Sequence, residues 1–512
     1  MGNKRQLLKN NIWVYILIIF SGICISLLSG INPFSGYYHY NDSGAFSYIG
    51  KAIYEYSAVP YRDIFDHKGP LLYLINYIGY GLENSIPGDR IYGTWVIEFI
   101  LIQIDLFLVY FICRKANFEK AVSLGSTMAF AVMFGVFFNF GNFAAEYALP
   151  FILISLYLFV EYFLHKEKLP KLKISIIGFS CGSVLMLRPN MIGIWVAFCL
   201  VLIIYFIFSK RYIDIFKSIT FFLIGILAAI APFMIYIFVK GVFHDFIYCY
   251  WTFNLKYIGK NVNTYDLLID TYKYFFYPAM MVSVLVYMIQ MFKNNANKKI
   301  FFYYLGLLLF CIITLYFVVS PHNSHRNYGM FTIPCAVLGV AEILRSVSDF
   351  ITSKKSFLQR RPLIKPMLLL FVVFIALSPS IFDLALEGYK INMGDKSQGE
   401  VSNIEYIKNN TDKDDKILVI GHACYIYLNT DRQASSRYVY QFPIYDIDPA
   451  IKEDFLSQLE KNESALIFIP SSYMYLNVAK DTMSYLDKMV SENKYEKIEN
   501  ELFQAVAYKR LD

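Results

Sequence analysis

Residues 212–239 read YIDIFKSITFFLIGILAAIAPFMIYIFV, an apolar stretch whose two charged side chains, Asp214 and Lys217, stand near its start. About 20 helical residues cross a bilayer core about 30 Å thick, so this stretch predicts a transmembrane helix. Similar runs cover residues 11–29, 91–113, 120–138, 147–164, 272–292, 300–319, 328–344 and 363–383, and a longer run covers 172–209. Arg188-Pro189-Asn190 interrupts the longer run, which we interpret as two spans joined by a tight hairpin. The sequence therefore predicts a polytopic α-helical membrane protein with about eleven transmembrane helices.

The composition of the whole chain agrees with a membrane protein. Of the 512 residues, 57% are hydrophobic and 17% are charged, whereas soluble chains have about 45–50% and about 25%. The surfaces of several soluble domains would need more charge, so a soluble multi-domain enzyme is excluded for most of the chain. The net charge of +7 is modest, so the lipid bilayer, and not nucleic acid, is the expected partner.

The basic residues between the runs predict the orientation. They concentrate in alternate connections, which include Lys4, Arg5 and Lys9; Arg114, Lys115 and Lys120; Lys166, Lys168, Lys171 and Lys173; and Lys293, Lys298 and Lys299. Cytoplasmic loops carry the excess of Lys and Arg. We therefore expect a multi-pass protein of the cell membrane with a cytoplasmic N-terminus, and an odd number of spans places the C-terminus outside.

The composition changes after residue 388, where polar and charged residues become frequent. Short apolar segments at 416–420 and 465–469 predict buried strands, and helix-like segments surround them at 398–410, 449–460 and 476–492. We expect residues 1–388 to form a transmembrane catalytic domain, whose first outer loop, 30–90, carries interfacial helices. Residues 389–512 are expected to form a small extracytoplasmic α/β domain.

The first outer loop holds the densest set of chemical groups. Asp42 opens an amphipathic stretch, where an Asp before a helix also fits an N-cap, so both a catalytic and a capping role stay open. Lys68-Gly69-Pro70 predicts a helix start, because Pro favours the first turn. Free backbone N–H groups, the positive end of the helix dipole and the Lys68 ammonium would then form a phosphate site. The alternative for Lys68 is an interfacial anchor.

Other polar residues fall at the outer ends of the predicted spans. Glu146 is the sole charge in its short loop; it either complements a helix dipole or has a function, as ionisable groups at membrane depth commonly do. Arg188, His322, His325 and Arg326 are predicted on the same side and would form a cationic rim for a donor phosphate. The sequence assigns no metal ligands. As an alternative, His322 and His325 together with Asp42 or Glu146 would bind a divalent metal.

The first loop resembles that of the GT-C glycosyltransferases. The resemblance rests on an Asp-bearing loop after the first helix, on the segment Tyr61-Arg62-Asp63-Ile64-Phe65-Asp66-His67-Lys68-Gly69-Pro70 and on the outer C-terminal domain. It is strongest toward bacterial relatives of protein O-mannosyltransferases and lipid A aminoarabinose transferase. The resemblance implies that Asp42 and Glu146 are catalytic, that Lys68 contacts a donor phosphate and that Asp63, Asp66 and His67 support the loop. Asn41 precedes Asp42 where a second acid would be expected, which shifts weight to Glu146 or Asp66 as partner.

The resemblance implies a glycosyltransferase that uses a polyprenyl-phosphate sugar donor. Transfer to a glycan, lipid or protein acceptor on the outer face would proceed by a single displacement, which inverts the anomeric centre. Such a reaction needs a base for the acceptor hydroxyl and cations for the departing phosphate. The alternatives are a polyprenol-linked glycan flippase or transporter, and a surface-polysaccharide polymerase. A flippase would predict inverted halves and charges at the midplane.

Overall fold

A computed structural model describes residues 12–35, 41–85, 93–258, 276–320, 325–354, 364–393, 398–461, 464–500 and 505–511. Within these ranges, every apolar run predicted to span the membrane folds as a helix. The helices of the membrane part are α1 (Ile12–Ser26), α2 (Asn41–Tyr56), α3 (Pro70–Asn84), α4 (Gly93–Lys115), α5 (Lys120–Phe138), α6 (Ala144–His165), α7 (Lys171–Leu185), α8 (Gly193–Phe208), α9 (Tyr212–Val239), α10 (Phe243–Phe246), α11 (Phe253–Lys256), α12 (Phe276–Lys293), α13 (Lys298–Val319), α14 (Ile333–Lys354) and α15 (Ile364–Met393). Short 3-10 turns occur at Pro189–Met191 and Arg326–Thr332, and a π-helical turn, Ile247–Thr252, joins α10 to α11.

Seven helices in the described part are long and apolar enough to cross a membrane: α4, α5, α6, α9, α13, α15 and the helical segment Arg326–Thr352, which contains most of α14. The shorter apolar helices include α1 and α8. Helix α9 exposes large apolar side chains such as Phe216, Leu227 and Phe238. Such a surface is costly in water and favourable in lipid, so the fold is that of a multi-pass membrane protein.

The C-terminal part contains a five-stranded mixed sheet. Its elements are α16 (Gln398–Asn410), β1 (Lys416–Val419), α17 (Tyr425–Thr430), β2 (Gln433–Ala434), α18 (Ile444–Ile447), α19 (Pro449–Lys461), β3 (Leu466–Pro470), α20 (Asn477–Ser491), β4 (Tyr495–Asn500) and β5 (Ala505–Arg510). The strand order is β2-β1-β3-β5-β4. Strand β1 is parallel to β2 and β3, and β5 is antiparallel to β3 and β4.

This sheet domain lies directly against the first loop. The Phe65 N–H donates to the Arg437 carbonyl at 2.8 Å, and the Ala434 N–H donates to the Tyr48 hydroxyl at 2.7 Å. The rings of Tyr48 and Tyr427 pack with centroids 5.0 Å apart. These contacts bring the ends of β1 and β3 over the segment that contains Lys68.

Helix α2 of the first loop packs into protein, whereas α3 exposes Leu74, Ile78 and Leu82. Phe46 and Ile49 of α2 are buried, although their spacing in the sequence also fits a helix lying in the membrane interface. The sheet domain and α3 cover α2, which fixes the direction in which its first turn points.

Candidate active site

Two large cavities occur in the described part, and the larger of them, about 1190 Å³, lies between the membrane helices and the sheet domain. Seven of the predicted site residues line it: Asp42, Asp66, His67, Lys68, Arg188, His325 and Arg326. The smaller cavity, about 480 Å³, lies among α6 to α9 and is mainly apolar. Its one acidic residue, Asp214, is paired with Arg211. The larger cavity is therefore the candidate active site.

Asp42 lies in the first turn of α2, which begins at Asn41. Its side chain is 42% exposed, and its Oδ1 is 3.4 Å from Nε2 of His422. The carboxylate therefore faces the cavity, accessible to a substrate while in contact with the sheet domain.

Both the backbone N–H and the backbone carbonyl of Lys68 form hydrogen bonds with neighbouring side chains. Its N–H donates to Asp66 Oδ1 at 2.9 Å, and its carbonyl accepts from the hydroxyls of Tyr61 and Tyr73. Its Nζ is 2.6 Å from His67 Nε2. Desolvation in the cavity lowers the pKa of Lys68, while Asp42 and Asp66 oppose that effect.

The pKa values of the two preceding residues are also shifted, mainly by burial. Burial raises the pKa of Asp66 to about 6, although Lys68 acts in the opposite direction. Burial, reinforced by the Lys68 ammonium, lowers the pKa of His67 well below its usual range. His67 is therefore neutral and accepts from Lys68, which fixes the direction of the ammonium.

The prediction of free N–H groups at the start of α3 is wrong. The helix does begin at Pro70, with Gly69 as its N-cap. However, the N–H groups of Gly69 and Leu71 donate to the carbonyls of Leu187 and Met186 in the hairpin between α7 and α8. A Cβ on Gly69 would lie 2.0 Å from the Met186 oxygen, so only glycine permits this contact. The ammonium of Lys68, and not the helix terminus, remains to meet an anion.

The same hairpin carries Arg188 into the cavity. The Arg188 guanidinium lies over the rings of Tyr328 and Phe331, at 4.4 and 4.8 Å from their centroids, and its Nε donates to Asn190 Oδ1 at 3.2 Å. In the described part, no acidic residue forms an ion pair with Arg188. Its charge is therefore available to a ligand in the cavity.

The predicted cationic rim is only partly available. Arg326 lines the cavity but donates to both oxygens of Glu387, at 3.2 and 2.9 Å, which neutralises its charge. His325 packs against Tyr328, and burial lowers its pKa, which favours the neutral ring. His322 lies outside the described residues.

Two predicted site residues do not line the cavity. Glu146 is buried in α6 and accepts from the Asn142 N–H at 2.8 Å, a donor it shares with Glu98. The Asn142 side chain in turn donates to the Ser43 carbonyl beside Asp42, at 3.3 Å. Asp63 pairs with Arg62 on the surface. Glu146 can therefore act on Asp42 only through this network, and the catalytic role assigned to it stays a prediction.

The cavity is also lined by four residues that were not predicted from the sequence: His422, Tyr440, Asn254 and Tyr257. His422 had one usable signal, because it follows Gly421 at the end of a predicted strand; the structure shows that this strand, β1, is parallel to its neighbours, and ligand sites are common at such strand ends. Tyr440, Asn254 and Tyr257 lie in connections without a recognisable pattern. Within the described ranges, no three His, Cys, Asp or Glu side chains come together to hold a metal ion.

Comparisons with known proteins give a family and a fold. Residues 3–381 match the family described as competence-induced protein Ccs4 N-terminal domain. No curated protein matches the chain by sequence.

The chain is also similar in fold to solved structures. The chain resembles ArnT from Cupriavidus metallidurans, solved bound to undecaprenyl phosphate and in the apo state, with 10% identity, 98% of both chains covered and a TM-score of 0.63. It also resembles the Archaeoglobus fulgidus oligosaccharyltransferase tethered with an acceptor peptide. That match has 11% identity and a TM-score of 0.57, and it covers 99% of this chain and 75% of the other. The predicted GT-C fold is confirmed.

Proposed function

Because the chain belongs to the competence-induced protein Ccs4 N-terminal domain family and has a GT-C fold, we propose that it is a membrane glycosyltransferase. In this proposal, the enzyme takes a sugar from a polyprenyl-phosphate donor and transfers it to a glycan, lipid or protein acceptor at the cell surface. One observation carries the proposal: a carboxylate, Asp42, and two cations, Lys68 and Arg188, line the same cavity at the edge of the membrane part.

The reaction needs opposite charges at its two ends. The acceptor oxygen attacks the anomeric carbon, the bond from that carbon to the phosphate oxygen breaks, and the phosphate leaves with the bonding electrons. Asp42 takes the acceptor proton, and a single displacement inverts the anomeric centre. General-base help is worth typically 10²–10⁴-fold. Lys68 and Arg188 stabilise the negative charge that develops on the leaving phosphate.

The structures that resemble the chain support a lipid-linked donor. ArnT from Cupriavidus metallidurans was solved with undecaprenyl phosphate, and this chain shares its fold over 98% of both lengths. Apolar side chains such as Trp251, Leu255 and Phe317 line the cavity beside the charged groups. They are suited to the first prenyl units of such a lipid.

The orientation is also part of the proposal. The alternation of basic connections supports a cytoplasmic N-terminus and an outer sheet domain, where residues 389–512 would form the extracytoplasmic domain. Maleimide labelling of a cysteine introduced at the exposed Lys494 checks this orientation. Labelling only after the cells are permeabilised would contradict it.

Loss of the Lys68 charge tests donor binding. Purified Lys68→Ala should bind undecaprenyl phosphate about 10- to 100-fold more weakly than the wild type, because a charge-assisted hydrogen bond contributes about 1.5–3 kcal/mol. Lys494→Ala, which removes an exposed lysine paired with Glu492, is the matched control. If Lys68→Ala bound undecaprenyl phosphate as tightly as the wild type, Lys68 would not be a ligand of the donor phosphate.

A further inference from the structure

The sheet domain turns the carboxyl ends of two parallel strands toward the cavity. Gly421 and His422 follow β1, and Tyr473 follows β3; His422 and Tyr473 both line the cavity. The carboxyl ends of parallel strands commonly hold ligands, because the loops that follow them converge at one edge of the sheet. This edge therefore forms one wall of the candidate active site.

The backbone before His422 is fixed in an unusual conformation. Gly421 has a φ of +104°, and a Cβ there would lie 2.3 Å from the Tyr473 ring. The Gly421 N–H donates to Gln441 Oε1 at 2.8 Å, and the Tyr473 hydroxyl donates to the His422 carbonyl at 3.2 Å. The chain is therefore held on both sides of the point where the His422 side chain leaves it.

The His422 ring faces the proposed base. Its Nε2 is 3.4 Å from Asp42 Oδ1, and its side chain is 10% exposed. The ring meets Tyr440 edge-on, with centroids 4.9 Å apart. Burial lowers the pKa of His422, although the Asp42 carboxylate opposes this shift. A neutral imidazole with its hydrogen on Nε2 donates to a carboxylate without neutralising it.

We propose that His422 is a positioning residue of the transfer reaction, whose Nε2, 3.4 Å from Asp42 Oδ1, orients the carboxylate so that Oδ2 faces the acceptor hydroxyl. The sheet domain then completes the active site, although it is separated from Asp42 by about 380 residues of sequence. This inference rests on the proposed function, because it takes Asp42 as the base. In the reaction, the acceptor proton passes to Asp42 while the phosphate departs, and His422 neither gains nor loses a proton.

Three variants separate positioning from a merely structural role. His422→Ala removes the donor, His422→Gln places an amide N–H near the position of Nε2, and His244→Gln is a control at an exposed histidine outside the cavity. Each purified protein receives a synthetic undecaprenyl-phosphate sugar, chosen from a panel as the one that the wild type turns over fastest. Cell-envelope extract supplies the acceptor, and the release of undecaprenyl phosphate gives kcat and the donor KM.

We expect His422→Ala to lower kcat by up to about 100-fold, because a small misplacement of a reacting group costs about that much. The donor KM should stay unchanged, because the His422 ring does not contact Lys68 or Arg188, the cations proposed to bind the donor phosphate. His422→Gln should recover most of the rate, and His244→Gln should behave as the wild type.

Two results would overturn the inference. One is wild-type kcat in His422→Ala while Asp42→Asn is inactive; the proposed function would then stand without His422. The other is a raised donor KM in His422→Ala without recovery in His422→Gln, which would assign the ring to donor binding. An Asp42→Asn variant with the wild-type rate would instead show that Asp42 is not the base that the proposed function assumes.

Discussion

At the scale of single residues, Asp66 fixes the backbone of Lys68, but its own burial makes its ionised form unfavourable. Its Oδ1 accepts the Lys68 N–H, while its Oδ2 is buried without a hydrogen-bond partner in the described part of the chain. An ionised carboxylate with an unsatisfied buried oxygen is unfavourable. Burial therefore raises the pKa of Asp66 to about 6.

This shift predicts a pH dependence of stability. Because the folded-state pKa lies above the unfolded value, the associated stabilisation is complete below pH 3.8 and is lost as the pH rises through about 6. Asp66→Asn keeps an oxygen for the Lys68 N–H and cannot ionise. Relative to this variant, the wild type should lose roughly 2 kcal/mol between pH 4 and pH 7. Thermal unfolding of both proteins across this range checks the difference, and parallel curves would contradict it.

The local sequence was informative for some residues of the site and silent for others. Asp42, Lys68 and Arg188 could be predicted because each departs from the expected pattern of its own segment: an acid after the first span, a Lys-Gly-Pro helix start and a basic residue on the outer side. His422 and Tyr440 reach the cavity only because the sheet domain docks on α2 and the first loop. No local pattern encodes that docking.

At the scale of elements, the contact between α2 and α17 includes one buried charge beside the packed rings of Tyr48 and Tyr427. Lys51 is 3% exposed; it pairs with Asp431 after α17 and lies 3.6 Å from Glu55. Asp431 is 44% exposed and also lies 3.5 Å from Lys413. The buried charge of Lys51 therefore depends on Asp431 more than the exposed charge of Asp431 depends on Lys51.

This asymmetry predicts different effects of removing each partner. Asp431→Ala leaves the Lys51 ammonium buried with Glu55 alone and should destabilise the protein by about 1–3 kcal/mol. Lys51→Met removes the buried charge and leaves Asp431 to solvent and Lys413, so its cost should be smaller. The midpoints of thermal unfolding in one detergent check this order, which the reverse ranking would contradict.

Elements were predicted better than the contacts between them. The helix start at Pro70 and the hairpin at Arg188 follow from Pro and Gly signals. The occupation of the Leu71 N–H by the Met186 carbonyl does not, because it requires the two elements to be placed side by side. The tertiary contact with the hairpin thus occupies the N–H groups that the local sequence predicts to be free.

At the scale of the whole molecule, the fold is retained with little sequence in common. Ten percent identity accompanies a TM-score of 0.63 over 98% of this chain and of ArnT. Apolar periodicity and length, which many sequences satisfy, determine the membrane helices. This explains why composition and spacing predict the architecture well, while the cavity wall that comes from the sheet domain could not be predicted.

The central claim is that Asp42 is the base of a sugar transfer from a polyprenyl-phosphate donor. The most direct test is the rate at which purified protein releases undecaprenyl phosphate from a synthetic undecaprenyl-phosphate sugar, with cell-envelope extract as acceptor. Asp42→Asn should be about 10²–10⁴-fold slower than the wild type. Asp446→Asn, a control in the sheet domain, should be unchanged. Release by Asp42→Asn at the wild-type rate would contradict the account.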